Sequence, residues 1–218
     1  LVRLPVDVIV TGGPAATRPA RAATAAIPIV MTMDNDPVAA GHASSLARPG
    51  GNVTGVSRMA PVLAGKQLEI LREIVPSVVR VLVLGSSSEP GNAEQLQGAR
   101  GTAATLGLAL DYHDVSSAQD IETGFRATVE RRAGGVLVLT SPLMVTERTR
   151  IVALARRHRL PTVFADREAA REGALATYGV NNAELFRRAA GYVDRILRGA
   201  SPAEMAIEQP TKFELLVN

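Results

Sequence analysis

The polar residues best suited to chemistry lie in short loops that follow apolar runs of the sequence. The earliest loop is Thr11-Gly12-Gly13-Pro14, and later loops contain hydroxyls, an amide and a few carboxylates: Asp34, Asp36, Ser86, Ser87, Asn92, Ser141 and Asp166. Such groups, with backbone N–H donors, can bind a small polar molecule. No loop pairs a nucleophile with a general base or gathers a set of metal ligands. The pattern favours a protein that binds a ligand over one that transforms it.

Two of these loops have features of an anion site. The turn from Thr11 to Pro14 joins a strand to a helix and offers the backbone amides of Gly12 and Gly13, where the helix dipole favours negative charge. Ser141 precedes Pro142 in a corresponding turn, with its hydroxyl at an N-cap position. An ordinary Gly-Pro turn and a plain structural cap are the alternatives.

Asp36 and Asp166 are the carboxylates best placed at strand ends to meet a cation. Asp36 precedes a proline and also fits a helix cap. Asp166 also fits an ion pair with Arg167 or Arg171. The Asp34-x-Asp36 spacing is weak evidence for a metal because no further ligand cluster accompanies it. Ser86 and Ser87, in a polar turn before a helix, are candidates that an ordinary loop explains equally well.

Enzyme signatures are missing from the sequence. No G-x-G-x-x-G, P-loop, G-x-S-x-G or H-E-x-x-H motif occurs. The three histidines, His42, His113 and His158, have no obvious acidic partner or nucleophile nearby in the sequence. With no Cys, disulfides, thiolate catalysis and Cys-based metal sites are excluded. We therefore expect no catalysis, no cofactor and no metal.

Composition excludes other partners. Lys and Arg number 24 against 21 Asp and Glu, so the formal net charge is only +3, and the arginines are spread over several helices. Aromatic residues are 3% and Trp is absent, which leaves little surface for base stacking. Nucleic acid is therefore not an expected partner. No run of eighteen or more apolar residues is present, so we expect no membrane span.

Apolar runs alternate with amphipathic segments, which predicts βα units and a parallel sheet. Ligands of such sheets bind outside the carboxyl ends of the strands, where the polar loops lie. The predicted strands are Val6–Val10, Ile27–Met33, Val53–Ser57, Val81–Leu84, Leu108–Tyr112, Val136–Thr140, Thr162–Ala165, Leu175–Tyr178 and Phe213–Val217. The predicted helices are Pro14–Thr24, Asp36–Leu46, Pro61–Val75, Ala93–Leu106, Asp120–Arg132, Leu143–Arg159 and Asn182–Arg198.

Several stretches resemble one family of ABC-transporter substrate-binding proteins, whose better-known members bind tryptophan or related amino acids. They are Ser45–Gly55 (SLARPGGNVTG), Gly65–Leu71 (GKQLEIL) and much of Tyr178–Leu215, including QPTKFEL. The resemblance implies the α/β fold of type I periplasmic binding proteins, with two lobes joined by crossing strands and a ligand clamped between them. Residues 1–75 plus 178–218 would form the first lobe and residues 76–177 the second.

The resemblance also implies that the first lobe is truncated at its N-terminus, since something like two βα units would precede Leu1. We expect such a chain to be unstable or to self-associate. Ser57 and Tyr178 would lie beside the lobe crossings, where Tyr178 could cover an apolar side chain or simply pack. Gly85-Ser86-Ser87 stands where relatives often have an aromatic residue followed by Asn-Pro, and Arg58 replaces a frequent Asn. The lost aromatic argues against an aromatic amino acid as ligand.

The function implied is that of the extracytoplasmic solute-binding component of an ABC importer. Its location would be periplasmic or membrane-anchored, its ligand an amino acid or similar polar molecule, and its partner a membrane permease. One alternative is the effector-binding core of a LacI-like transcription regulator, which has the same architecture. The less favoured alternative is an α/β enzyme.

Overall fold

Nine strands and eight α-helices alternate along residues 3–218, the part of the chain that the computed structural model describes. The strands are β1 Ile9–Gly12, β2 Ile29–Asp34, β3 Val53–Ser57, β4 Arg80–Gly85, β5 Ala109–Asp114, β6 Gly135–Val138, β7 Thr162–Phe164, β8 Ala176–Gly179 and β9 Glu214–Val217. The helices are α1 Pro14–Ala23, α2 Ala60–Ile74, α3 Asn92–Leu106, α4 Ala118–Arg131, α5 Pro142–Thr146, α6 Arg148–His158, α7 Glu168–Glu172 and α8 Asn182–Leu197. None of the described helices has the length and apolar character needed to cross a membrane.

The chain divides into two units, Leu1–Met59 with Val180–Lys212, and Ala60–Gly179 with Phe213–Asn218. The first unit contains a parallel sheet in the order β1-β2-β3. Helix α8 packs on this sheet through an apolar stripe formed by Leu185, Ala189, Tyr192 and Ile196. The spacing of these residues at three and four positions is what the sequence predicts for an amphipathic helix, and α8 is confirmed.

The second unit contains a sheet in the order β5-β4-β6-β7-β8-β9, parallel except for β9, which runs antiparallel to β8. Both faces are covered, as is usual for parallel sheets. Val81 and Val83 of β4 point into one core with α2 and α3 residues, while Leu82 and Leu84 point into the other. Strand alternation thus explains why β4 is apolar on both faces.

One predicted helix is wrong. The segment predicted as a helix to about Leu46 forms turns from Pro37 to Gly41 and no helix. The Asp36 Oδ1 atom accepts hydrogen bonds from the amides of Val38 and Ala39, which closes a local turn. Gly41 then adopts a φ of 70°, a left-handed conformation that ends the turn instead of extending it into a helix.

The unit boundaries differ from the predicted lobe boundaries at two places. Helix α2, predicted in the first lobe, lies in the second unit because its buried face, including Leu68 and Leu71, fills the core beneath β4 and β6. The last strand, also predicted in the first lobe, pairs with β8 of the second unit. The chain therefore passes between units after Met59, after Gly179 and after Lys212.

Candidate ligand-binding site

In the first unit, the parallel pairing of β1, β2 and β3 brings their carboxyl ends to one edge of the sheet. The predicted candidates Thr11, Gly12, Gly13, Asp36 and Ser57 all lie at this edge or directly after it. We call this edge the first-unit rim. The sequence therefore predicted correctly that these residues lie at strand ends. Their hydrogen bonds show which of their polar groups already have a partner within the protein.

Three threonines fix the turn after β1. The Thr11 and Thr17 hydroxyl oxygens lie 2.9 Å apart, and the Thr32 hydroxyl donates to the Thr11 carbonyl. The Gly13 amide donates to the Thr32 carbonyl at 2.7 Å, so the expectation that this amide is free was wrong. Gly13 has a φ of 82°, a backbone conformation that favours glycine. The Thr11 hydroxyl and the Gly13 amide are therefore used within the fold. Of this turn, the exposed backbone of Gly12 remains as a candidate ligand contact.

Asp36 is exposed and closes the turn described above, as the capping alternative predicts. Asp34 is the buried carboxylate of this rim, with none of its surface exposed. Its Oδ1 accepts the Asn35 amide, while its Oδ2 has no hydrogen-bond partner among the described residues. His42 Nε2 lies 3.9 Å from that Oδ2. Sequence reasoning considered Asp34 only as a metal ligand and missed His42 as its neighbour.

Ser57 ends β3 with only 1% of its surface exposed, and its hydroxyl has no hydrogen-bond partner in the described part of the chain. The next residue, Arg58, donates from Nη2 to the Asn182 Oδ1 at the start of α8, at 3.1 Å. Met59 then adopts a φ of 57°, which is rare for a residue with a side chain, at the point where the chain leaves the unit. Arg58 was not among the sequence candidates, although its place directly after Ser57 is a usable signal.

In the second unit, Ser86 and Ser87 follow β4, as predicted. The Ser86 amide donates to Asn92 Oδ1 at 2.9 Å. The Ser87 amide and hydroxyl both donate to the carboxylate of Asp114, at 2.6 and 2.8 Å. These bonds hold the pKa of Asp114 below its usual range. Burial, followed by the bond to Asp114, raises the pKa of Tyr112 to about 12, so its hydroxyl stays a donor.

Helix α3 connects the ends of β4 and β6. Its first residue, Asn92, accepts from Ser86 and donates from Nδ2 to the Thr140 carbonyl at 2.9 Å. Gln95 accepts the Thr140 amide at 2.8 Å. Ser141 is buried and its hydroxyl accepts the Met144 amide at 3.2 Å, which is the plain structural cap that we considered as the alternative. Through these hydrogen bonds, which we call the α3 bracket, helix α3 holds the loops after β4 and β6 together.

Asp166 follows β7 and is already paired. Its carboxylate accepts from Arg148 Nη1 at 2.5 Å and from the Glu168 amide at 3.2 Å. The expected partners were wrong: Arg167 pairs with Glu214 and Arg171 with Glu168. The partner comes from the start of α6, which sequence proximity to Asp166 does not reveal. Arg148 also pairs with Glu172, at 2.7 Å, so Asp166 is part of an ion-pair cluster within the second unit and is less available to a cation than its position predicts.

Tyr178 lies in β8, one residue before the chain leaves the second unit. Its ring stacks on Phe213 with centroids 5.8 Å apart, and its carbonyl accepts from Gln67 Nε2 at 2.7 Å. One face of the Tyr178 ring therefore packs within the protein, as the alternative to a ligand contact predicts. Among the side chains that the structure describes, which exclude those of residues 1, 2, 129 and 130, no three His, Asp or Glu come together as metal ligands.

Comparison with known proteins identifies the family. The model of the ABC transporter substrate binding protein family matches residues 1–218. A tyrosine-binding protein of Clostridioides difficile (strain R20291) is 26% identical over 196 residues, which cover 90% of this chain. The chain spans only 56% of the length of that curated relative.

Two solved structures have the same fold. One is an ABC domain in complex with L-Trp from Streptococcus pneumonia, with a TM-score of 0.90, 24% identity, and coverage of 100% of this chain and 73% of that one. The other is a conserved domain protein from Vibrio cholerae O1 biovar eltor, with a TM-score of 0.92, 25% identity, and coverage of 99% and 72%. They confirm the predicted α/β, two-lobe fold of type I periplasmic binding proteins. Because the family model matches its whole length, this chain belongs to the ABC transporter substrate binding protein family.

Proposed function

We propose that this protein is the extracytoplasmic solute-binding component of an ABC importer and that it binds a small polar ligand of the amino-acid class. The observation that carries this proposal is the family match over residues 1–218. The ligand class rests on the relatives, of which one is named for tyrosine and one was solved with L-Trp. The two compact units would serve as the two lobes, and a membrane permease would recognise the ligand-bound form.

The strand ends offer partners for both charges of an amino acid. A ligand carboxylate suits the guanidinium of Arg58, the Ser57 hydroxyl and the Gly12 backbone, since charge-assisted hydrogen bonds are stronger than neutral ones. A ligand ammonium suits Asp36, which is exposed and uses one oxygen for its turn. Asp166 is no longer favoured because its carboxylate already pairs with Arg148, which also pairs with Glu172.

The second unit would supply hydroxyls and an aromatic ring. Ser87 is exposed, although both of its donors bind Asp114 in this structure. Tyr178 is half-buried, with one face of its ring stacked on Phe213. Ser86 and Ser141 would act through the bracket that α3 forms, because their polar atoms are used within the unit. These residues suit an amino acid with a small side chain better than one whose aromatic ring needs a stacking partner.

A thermal-shift screen of the full chain against amino acids, small carboxylates and purines tests the proposal. A ligand at one hundred times its dissociation constant stabilises the folded state by about 2.7 kcal/mol, which moves the melting temperature by several degrees. We expect at least one amino acid to do so. Arg58→Gln should weaken that ligand about tenfold or more, measured by calorimetry.

Arg100→Gln is the matched control, because Arg100 is exposed in α3 and lies outside the candidate site. It should leave the affinity unchanged. A panel in which only purines or sugars bind would contradict the amino-acid assignment. A ligand-dependent gain of DNA binding would favour the regulator alternative instead.

A further inference from the structure

Asp34 and His42 form a buried polar pair beneath the first-unit rim. Asp34 is 0% exposed and His42 is 6% exposed. The Nε2–Oδ2 distance of 3.9 Å is longer than a hydrogen bond, which has its donor and acceptor about 2.7–3.2 Å apart. The Asp34 Oδ2 and the His42 Nδ1 have no hydrogen-bond partner among residues 3–218. The Thr17 hydroxyl lowers the pKa of Asp34 from nearby, but it bonds to Thr11 and to the Gly13 carbonyl. Buried polar atoms without a partner of their own call for an explanation.

The surroundings set the charge of this pair. Burial raises the pKa of Asp34 and lowers the pKa of His42, while the charge of each opposes the effect of burial on the other. Arg18 and Arg21 of α1 also lower the pKa of His42, and Asp36 raises that of Asp34. The pKa of His42 therefore lies below its ordinary value of 6.5, and the pair takes up a proton as the pH falls.

The pair is directly connected to the rim. The Asp34 carbonyl accepts the Arg58 amide at 2.7 Å, so a movement of Asp34 is passed to the end of β3. Two residues after Asp34 comes Asp36, and His42 closes the same turn through its amide, which donates to the Pro37 carbonyl. Met33, just before Asp34, has a φ of 57° at the irregular end of β2. The turn that carries Asp36 is thus held between the two members of the pair.

A route for protons is also present. His42 lines a cavity of about 370 Å³ together with Arg21, Ser44 and Asn52. Such a cavity would let solvent reach an imidazole that is otherwise buried. Arg58 is the charged residue contributed by the end of β3, and its backbone amide donates to the Asp34 carbonyl.

We propose that Asp34 and His42 are positioning residues: uptake of one shared proton draws the imidazole onto the carboxylate, moves the turn that carries Asp36, and weakens ligand binding. This rests on the proposed function for its ligand, but the proton uptake and the movement of the turn do not need one. The pair does not touch the ligand in this proposal. It acts through Asp36 and Arg58, the two rim groups that would meet opposite charges.

Nuclear magnetic resonance of the full chain tests the first step without any ligand. The protein has only three histidines, so the ring signals of His42, His113 and His158 can be resolved during a pH titration. We expect His42 to titrate below 6.5 and the amides of Asp36 and Arg58 to shift with the same midpoint. Asp34→Asn should lower the His42 midpoint further. His42→Gln should abolish the shared midpoint, and His113→Gln, in the other unit, should preserve it.

Calorimetry with L-serine, L-leucine, L-tyrosine and L-tryptophan as probes tests the second step. Between about pH 7 and pH 5 the affinity of the unmodified protein should fall about tenfold or more, and that of His42→Gln should stay flat. The proposal would be overturned if the amide signals of Asp36 and Arg58 did not shift with the His42 midpoint. It would also be overturned if the affinity of His42→Gln kept the pH dependence of the unmodified protein. If none of these probes binds, the proposed ligand class fails while the titration still decides the role of the pair.

Discussion

Two hydroxyls in β3 have opposite fates, although they are only three residues apart. The Thr54 hydroxyl donates to the buried Met205 carbonyl at 2.7 Å. The Ser57 hydroxyl, equally buried, has no hydrogen-bond partner in the described chain. An unsatisfied buried polar group costs about 1–3 kcal/mol, so the Ser57 hydroxyl lowers the stability of the fold. We infer that this hydroxyl serves a ligand and that Thr54 serves the fold.

Ser57→Ala and Thr54→Val separate the two roles. Ser57→Ala should leave the free energy of unfolding unchanged or raise it by up to about 1 kcal/mol, because it removes an unpaired hydroxyl. It should weaken ligand binding about fivefold to tenfold. Thr54→Val should lower the free energy of unfolding by about 1–2 kcal/mol, because it leaves the Met205 carbonyl unpaired. Urea unfolding and calorimetry measure the two quantities.

A Ser57→Ala variant that binds as well as the unmodified protein would remove Ser57 from the proposed site. A loss of stability like that of Thr54→Val would instead give it a structural role. The sequence could place Ser57, Ser141 and Asp166 at strand ends, but it could not show which of their polar atoms have hydrogen-bond partners within the protein. Their partners come from distant segments, such as Arg148 for Asp166.

Helix α3 positions two loops of the second unit, and its own position depends on a close approach to α2. A Cβ atom at Gly98 would lie 2.2 Å from the Pro61 carbonyl oxygen, which is too close for any real contact. A Cβ atom at Gly65, on the facing helix, would lie 2.4 Å from the Thr102 hydroxyl oxygen. Glycine at these positions therefore lets the helices pack closely and holds Asn92 and Gln95 against the ends of β4 and β6.

Gly98→Ala and Gly101→Ala form a matched pair in this helix. Gly98→Ala should force α3 away from α2 and lower the free energy of unfolding by about 1–3 kcal/mol. A methyl group at Gly101 would meet nothing within 4 Å, so Gly101→Ala should raise stability by up to about 1 kcal/mol through better helix propensity. Thermal and urea unfolding compare them. Equal effects of the two substitutions would contradict close packing at Gly98.

The alternation of strands and helices was predictable because apolar runs and amphipathic stripes are local properties of the sequence. The turn after Asp36 was not predictable in the same way. Asp36 followed by Pro37 is a valid helix start, but the Asp36 carboxylate and Gly41 close a turn instead. A local signal that fits two structures is decided by what packs around it.

Strands β8 and β9 form a hairpin interrupted by a large insertion. Gly179 pairs with Glu214 at the end of this antiparallel ladder, and Val180–Lys212 between them belongs to the other unit. The resemblance placed β9 and α2 in the first lobe because sequence order gives no sign of strand pairing. The pairing of β9 with β8 and the burial of α2 show that both complete the second unit.

This pairing predicts that the second unit folds alone once the insertion is removed. In the variant chain, an Asn-Gly turn replaces residues 180–213 and joins residues 60–179 to residues 214–218 as a two-residue antiparallel hairpin, at the loss of the Phe213 ring that stacks on Tyr178. It retains α2, both cores and the whole six-stranded sheet. We expect cooperative thermal unfolding by circular dichroism and a monomeric elution volume.

The control chain is residues 76–177, the lobe predicted from the sequence. It lacks α2, so the core residues Leu68 and Leu71 are missing and the apolar face of β4 and β6 meets water. It also keeps only Ala176 and Thr177 of β8 and lacks β9, which leaves an open sheet edge that favours aggregation. We expect it to bind a hydrophobic dye and to unfold without a sharp transition. The opposite result is that the control folds cooperatively and the variant with the Asn-Gly turn does not. The sheet would then not need α2, and the boundary would lie after residue 75 and not after Met59.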